Sequence, residues 1–196
     1  LLSEELSVAS FTQKLRDMRN FDPATGLPNL SRFKEHLGRF SARAQSSGVA
    51  GVVAVIEIER FEEIQSIVGT RHVHKAVVHV AKLVKSELDS RHALAHYDEA
   101  RIGVLIPQCD VSVAVILLEA AIKKVEASLF ETGEHSMALT VAIGLTVINH
   151  ANSETASLME QVEAAEPEEL SFASLMQAFG QSRAALLFQA IVSLKG

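Results

Sequence analysis

The stretch Val52-Val53-Ala54-Val55-Ile56-Glu57-Ile58-Glu59 decides the fold. Its β-branched residues favour an extended chain, and the unbroken apolar start leaves neither face polar, as in a central strand covered by helices on both sides. Polarity arrives only at the end, where Glu57 and Glu59 stand two apart and so leave the same face of the strand at its carboxyl end. The apolar run of residues 49–56 is far shorter than the roughly 20 residues needed to cross a bilayer, so no membrane span is expected.

Upstream, Leu30, Phe33, Leu37 and Phe40 recur at three- and four-residue spacing, which predicts a helix ended by Ser46-Ser47-Gly48. Before it, Asp22-Pro23, Gly26 and Pro28 cannot continue a helix. Residues 1–20 read as a separate lead-in helix. Leu1, Val8 and Leu15, with Phe11 and Met18, form a stripe broken at Glu4, which suits either a helix lying on its own domain or a coiled-coil lead-in from an upstream sensor.

Downstream, residues 61–68 suggest a short helix, and Val73, Val77, Val80, Val84 and Leu88 mark the apolar stripe of a longer one whose other face carries Arg71, Lys75, Lys82 and Lys85. That basic face reads as solvated. Residues 92–97 and 102–107 predict a hairpin turning at 98–101. Asp110 is placed to cap a helix with Ala114, Leu118, Ala121, Val125 and Leu129 on its apolar face. Residues 137–148 are expected to form one strand. An acidic connection containing Glu163, Glu166, Glu168 and Glu169 then leads to a helix near 170–179 and a final strand over 184–192. The order βααββαβ results, with residues 21–196 as one α+β domain.

Composition narrows the function. A chain of 196 residues, 48% hydrophobic and 21% charged, is ordinary for one globular domain. Its single cysteine, Cys109, excludes an intrachain disulfide and a cysteine zinc site, and fits a reducing, cytoplasmic setting. His72 and His74 diverge on a helix, and no histidine spacing suits a metal, so neither a metal nor another cofactor is expected. A net charge of −6 argues against a dedicated nucleic-acid binder. Because the sequence starts at Leu1 rather than Met, it is expected to be cut from a longer protein.

Several collinear segments resemble the GGDEF family of bacterial diguanylate cyclases, which join two GTP molecules into cyclic di-GMP. Asp22-Pro23-Ala24-Thr25-Gly26-Leu27-Pro28-Asn29, with Phe33, is similar to the family's DxLTGLPNRxxF; Glu57-Ile58-Glu59-Arg60-Phe61 stands at its DxDxF; Leu139-Thr140-Val141-Ala142-Ile143-Gly144 resembles its TVSIG strand; and residues 180–183 resemble its GRNR. The resemblance implies a nucleotide-cyclase-like fold with a central, mostly antiparallel sheet flanked by helices.

The same alignment implies that the active site is dismantled. The signature positions are occupied by Asp98-Glu99-Ala100-Arg101-Ile102, so carboxylates replace the glycines that let a nucleotide approach backbone N–H groups. Between carboxylate and phosphate the repulsion is on the order of 4 kcal/mol per charge pair at about 4 Å in an effective dielectric of about 20. Glu57 would keep one metal ligand, but the alignment gives it Ala100 as cross-strand partner, with no ligand atom, followed by the positive Arg101. The guanine-reading Asn and Asp become Gln65 and His74, the phosphate-binding Lys becomes Glu62, and the first Arg of GRNR becomes Gln181. The inhibitory RxxD reads Asp89-Ser90-Arg91-His92, so Asp89 and His92 replace its Arg and Asp.

The expectation is a catalytically inactive regulatory or protein-interaction module of a cyclic di-GMP signalling protein. Its partner would be another protein or an adjacent domain such as an EAL or sensor domain. Two alternatives stand beside it: residual GTP binding or weak NTP hydrolysis with Glu57, Glu59, Asp98 and Glu99 holding an ion, and a homodimerisation unit built on the N-terminal helix.

Overall fold

A computed structural model describes residues 19–164 and 192–194. The lead-in stripe, the helix expected near 170–179, Gln181 and most of the final strand expected over 184–192 lie outside the described residues.

The elements run α1 (Leu30–Ser47), β1 (Gly51–Ile58), α2 (Phe61–Val68), α3 (Thr70–Glu87), β2 (Ala93–His96), β3 (Arg101–Pro107), α4 (Val111–Glu126), β4 (Leu129–Thr132), β5 (His135–Ala138), β6 (Val141–Ile148), α5 (Thr155–Glu163) and β7 (Val192–Leu194). The main sheet has the order β2-β3-β1-β6-β7 with every neighbouring pair antiparallel. β1 is therefore central, as its apolar sequence requires. Strand alternation sends Val52, Ala54, Ile56 and Ile58 into one core beneath α2, α3 and α4, and Val53 and Val55 into a second core beneath α1 and α5. All six are almost completely buried, whereas Glu57 is exposed.

The helix expected upstream of β1 has the bounds its sequence demands. Asn29 caps its start by accepting the Arg32 N–H at 3.0 Å, and Gly48 ends it in the left-handed region at φ 68°. Its Phe33 packs closely against the sheet where position 103 is glycine: a Cβ there would lie 3.0 Å from two Phe33 ring carbons. The turn before α1 is held by Asp22, whose carboxylate accepts the N–H and hydroxyl of Thr25 at 2.8 and 2.6 Å. Gly26 takes a positive φ there, and the Pro28 carbonyl accepts the His96 N–H at 2.8 Å, tying the turn to β2.

Four sequence expectations need correction. The strand expected over 137–148 is divided: β5 ends at Ala138 and β6 starts at Val141, and the intervening Thr140 carbonyl accepts the Glu59 N–H at 3.0 Å. β5 pairs with β4 in a separate hairpin turning at Gly133, so Leu129 belongs to a strand and is 60% exposed rather than on the apolar face of α4. Asp110 precedes α4 as expected, but its side chain makes no capping hydrogen bond. The acidic connection contains a helix, α5, because Leu158, Met159 and Val162 recur on one face and bury against the second core.

Candidate functional site

The carboxyl end of β1, the start of α2 and the β2–β3 turn enclose an open cleft of about 680 Å³ lined by Glu57, Glu62, Asp98, Glu99, Ala100 and Arg101 with part of α2. The register pairs Glu57 with Arg101, and Ala100 faces Ile58, whose N–H it accepts at 3.0 Å. This corrects the expected Glu57–Ala100 pair by one residue. The charge facing Glu57 is thus a guanidinium.

The turn organises itself around that guanidinium. Asp98 Oδ1 accepts the backbone N–H groups of Ala100 and Arg101 at 3.3 and 3.1 Å, while Oδ2 accepts Arg101 Nε at 2.6 Å and also pairs with Nη2. Arg101 further lies 5.3 Å from the centre of the Tyr97 ring. Its hydrogen bonds to Asp98 raise its already high proton affinity, and Glu57 and Tyr97 add to the effect. Arg60, left-handed at φ 52°, pairs weakly with Glu63 at 3.9 Å. Both cations of the cleft are thereby answered by carboxylates of the cleft, and Glu57, Glu62 and Glu99 remain exposed to solvent.

Other expected positions are dispersed. Glu59 is half-buried and does not line the cleft; neither do Gln65 on α2 and His74 on α3. His74 Nδ1 is buried without a hydrogen-bond partner among the described residues. Among the described residues, no three His, Cys, Asp or Glu side chains stand together as a metal would require; of the four acids of the ion-holding alternative, Glu57, Asp98 and Glu99 line the cleft and Glu59 does not. A magnesium-assisted reaction does not fit this donor set: the carboxylates that could approach an ion share their space with Arg101.

A second depression, of about 460 Å³, opens between α1, the end of α3 and the edge strand β2, and contains the Asp89–His92 segment. Asp89 accepts the Arg91 backbone N–H at 2.8 Å and its Nε and Nη2 at 3.0 and 2.6 Å; these bonds, slightly opposed by desolvation, hold the Asp89 carboxyl down to about 2. His92 is almost wholly buried, and burial lowers its proton affinity despite the nearby Asp89. Sequence reasoning did not single out Arg32 and His36, one helical turn apart on α1, and read Lys85 on α3 only as part of a solvated basic face. Their spacing was visible, but their convergence depends on how α1 and α3 flank β2.

Residues 19–168 match the family described as "Diguanylate cyclase, GGDEF domain". The chain belongs to the GGDEF family. It is 30% identical over 152 residues to the diguanylate cyclase DgcP of Pseudomonas aeruginosa, an alignment covering 74% of this chain and 22% of that protein. The chain thus spans about a fifth of that relative. The coiled coil and GGDEF domain of DgcB from Caulobacter crescentus, solved in complex with c-di-GMP, superpose with a TM-score of 0.75 at 21% identity, covering 92% of this chain and 91% of that one. The diguanylate cyclase SiaD of Pseudomonas aeruginosa, solved with its activator SiaC, gives a TM-score of 0.68 at 22% identity, covering 92% and 65%.

Proposed function

We propose that this GGDEF domain is catalytically inactive and serves as a regulatory, protein-binding module of a cytoplasmic bacterial cyclic di-GMP signalling protein. The observation that carries the reading is the Asp98–Arg101 pair opposite Glu57, which supplies an internal cation where phosphate chemistry would need an external one. Removing the glycines, the base-reading pair and the phosphate-binding Lys together removes the terms by which such a site would favour a transition state. The SiaD neighbour, solved with an activator protein, supports a protein partner as the route of action.

The test is direct. The purified chain, incubated with GTP and either magnesium or manganese, is expected to yield no cyclic di-GMP by liquid chromatography, and to show no thermal shift with GTP. Accumulation of the cyclic dinucleotide would overturn the reading.

A further inference from the structure

The depression beside β2 has a backbone feature that its side chains alone do not reveal. Tyr97 N–H donates to the Arg101 carbonyl at 2.9 Å, so Tyr97, Ala95 and Ala93 turn their backbone groups toward β3. By alternation, His96 and Leu94 turn theirs outward. His96 N–H is met by Pro28, but β2 is the last strand of its sheet and Leu94 has no described strand beyond it. Alternation directs its N–H and C=O away from β3, and Leu94 is among the residues lining the depression. An edge of this kind is a template for another strand.

The surroundings select that strand's chemistry. Among the described residues, the cations Arg32, Lys85 and Arg91 line the depression against one carboxylate, Asp89, which Arg91 already neutralises; the rings of His36 and His92, whose proton affinity is lowered, complete the polar lining. The nearest acids of the flanking helices are also engaged, Glu35 with Arg39 at 3.6 Å and Glu87 with Lys124 at 2.6 Å. Arg39 and Arg32 add to burial in lowering the proton affinity of His36, which marks the positive field on this side of an acidic protein. Between the cations lies an apolar floor including Leu27, Phe33 and Leu88.

Resting on the proposed binding role, we propose that this groove receives an extended acidic segment of a partner protein, paired to Leu94 and carrying carboxylates toward Lys85 and Arg32 with apolar residues between. A peptide suits it better than a phosphate ligand for two reasons. Leu94 presents a donor and an acceptor together, which another backbone satisfies in register. Two of the cations are also already engaged, Arg91 with Asp89 and Arg32 lying 5.1 Å over the Phe21 ring, which leaves no fork of free donors for a phosphate.

The experiment titrates the ¹⁵N-labelled chain with a fluorescent peptide of alternating glutamate and valine. Controls are its lysine-for-glutamate counterpart, a copy N-methylated at alternate residues, and cyclic di-GMP. Saturable binding is expected, with new hydrogen-exchange protection at Leu94. Lys85→Glu, on an exposed helical face and checked for folding by circular dichroism, should weaken it about tenfold or more, as should N-methylation. Absence of binding, equal binding of the lysine peptide, or protection centred elsewhere would overturn the proposal, as would preferential capture of the cyclic dinucleotide. Failure here with no cyclase activity leaves the inactive-module reading standing; cyclic di-GMP synthesis removes that reading whatever the peptide does.

Discussion

The Asp98–Arg101 pair can be measured apart from the rest of the cleft by a double-mutant cycle of Arg101→Ala, Asp98→Ala and both. The two side chains are 29% and 38% exposed, so the strength expected of a buried charge-assisted pair must be discounted for solvent. Two N–H donors converge on one carboxylate oxygen, which puts the coupling at about 1 kcal/mol, the upper end for partly exposed pairs. Arg101→Ala also loses the contact with Tyr97, worth roughly 0.5–1 kcal/mol, for about 1.5–2 kcal/mol in total. Asp98→Ala removes the acceptor of two turn N–H groups and should cost about 2 kcal/mol. Urea unfolding of the four proteins gives the cycle directly. The coupling should shrink in about 1 M salt, because the pair is open to screening. A coupling below about 0.3 kcal/mol would refute the claim that Arg101 is the turn's internal cation. None of the variants should gain cyclase activity.

Gly103→Ala places a Cβ within 3.0 Å of two Phe33 ring carbons and should cost about 1–3 kcal/mol by urea unfolding, with Phe33→Leu in the same chain recovering part of it. Asp22 is pushed up by desolvation, but the Thr25 hydrogen bonds and His96 together hold it below its ordinary value. Its contribution is therefore present above about pH 4 and lost as pH falls through the lowered native value, so the melting-temperature gap between wild type and Asp22→Asn should close from about pH 5 toward pH 2. Leu158→Ala, at a fully buried position of α5, should destabilise by about 2–5 kcal/mol, whereas Leu129→Ala, largely exposed on β4, should stay within about 0.5 kcal/mol; denaturant midpoints compare the two.

Legibility in the sequence followed the strength of periodicity. β1, α1 and α3 were readable because each presents a long, unmixed pattern: five adjacent apolar residues from Val52 to Ile56, and apolar stripes at three- and four-residue spacing on the two helices. Helix α5 was not, because only three large apolar residues, Leu158, Met159 and Val162, mark it within small and polar surroundings. The break before β6 was hidden for a different reason. Residues 137–148 alternate acceptably through Leu139-Thr140, and the division follows from Glu59 hydrogen-bonding at Thr140, a contact between distant segments. At the cleft, Glu57, Glu62 and residues 98–101 were named from the sequence, Glu59, Gln65 and His74 fall outside the lining, and the register was off by one: a hairpin's pairing depends on its turn geometry, and here Asp98 folds back on the turn N–H groups.

That one-residue difference changes the chemical argument. With Ala100 opposite Glu57, the site would simply lack a ligand, and restoring a carboxylate there would be the natural repair. With Arg101 in that place, the pocket already holds the positive charge that its acids call for, and a carboxylate at Ala100 would first have to compete with Asp98 for the guanidinium. The same pair that places a positive charge opposite Glu57 also closes the turn, so the charge arrangement of the cleft is coupled to local stability. The sheet core is built separately from that turn: Ile56 and Ile102 pair and bury just below it, so substitutions at the rim can change the charge of the cleft while the fold is kept.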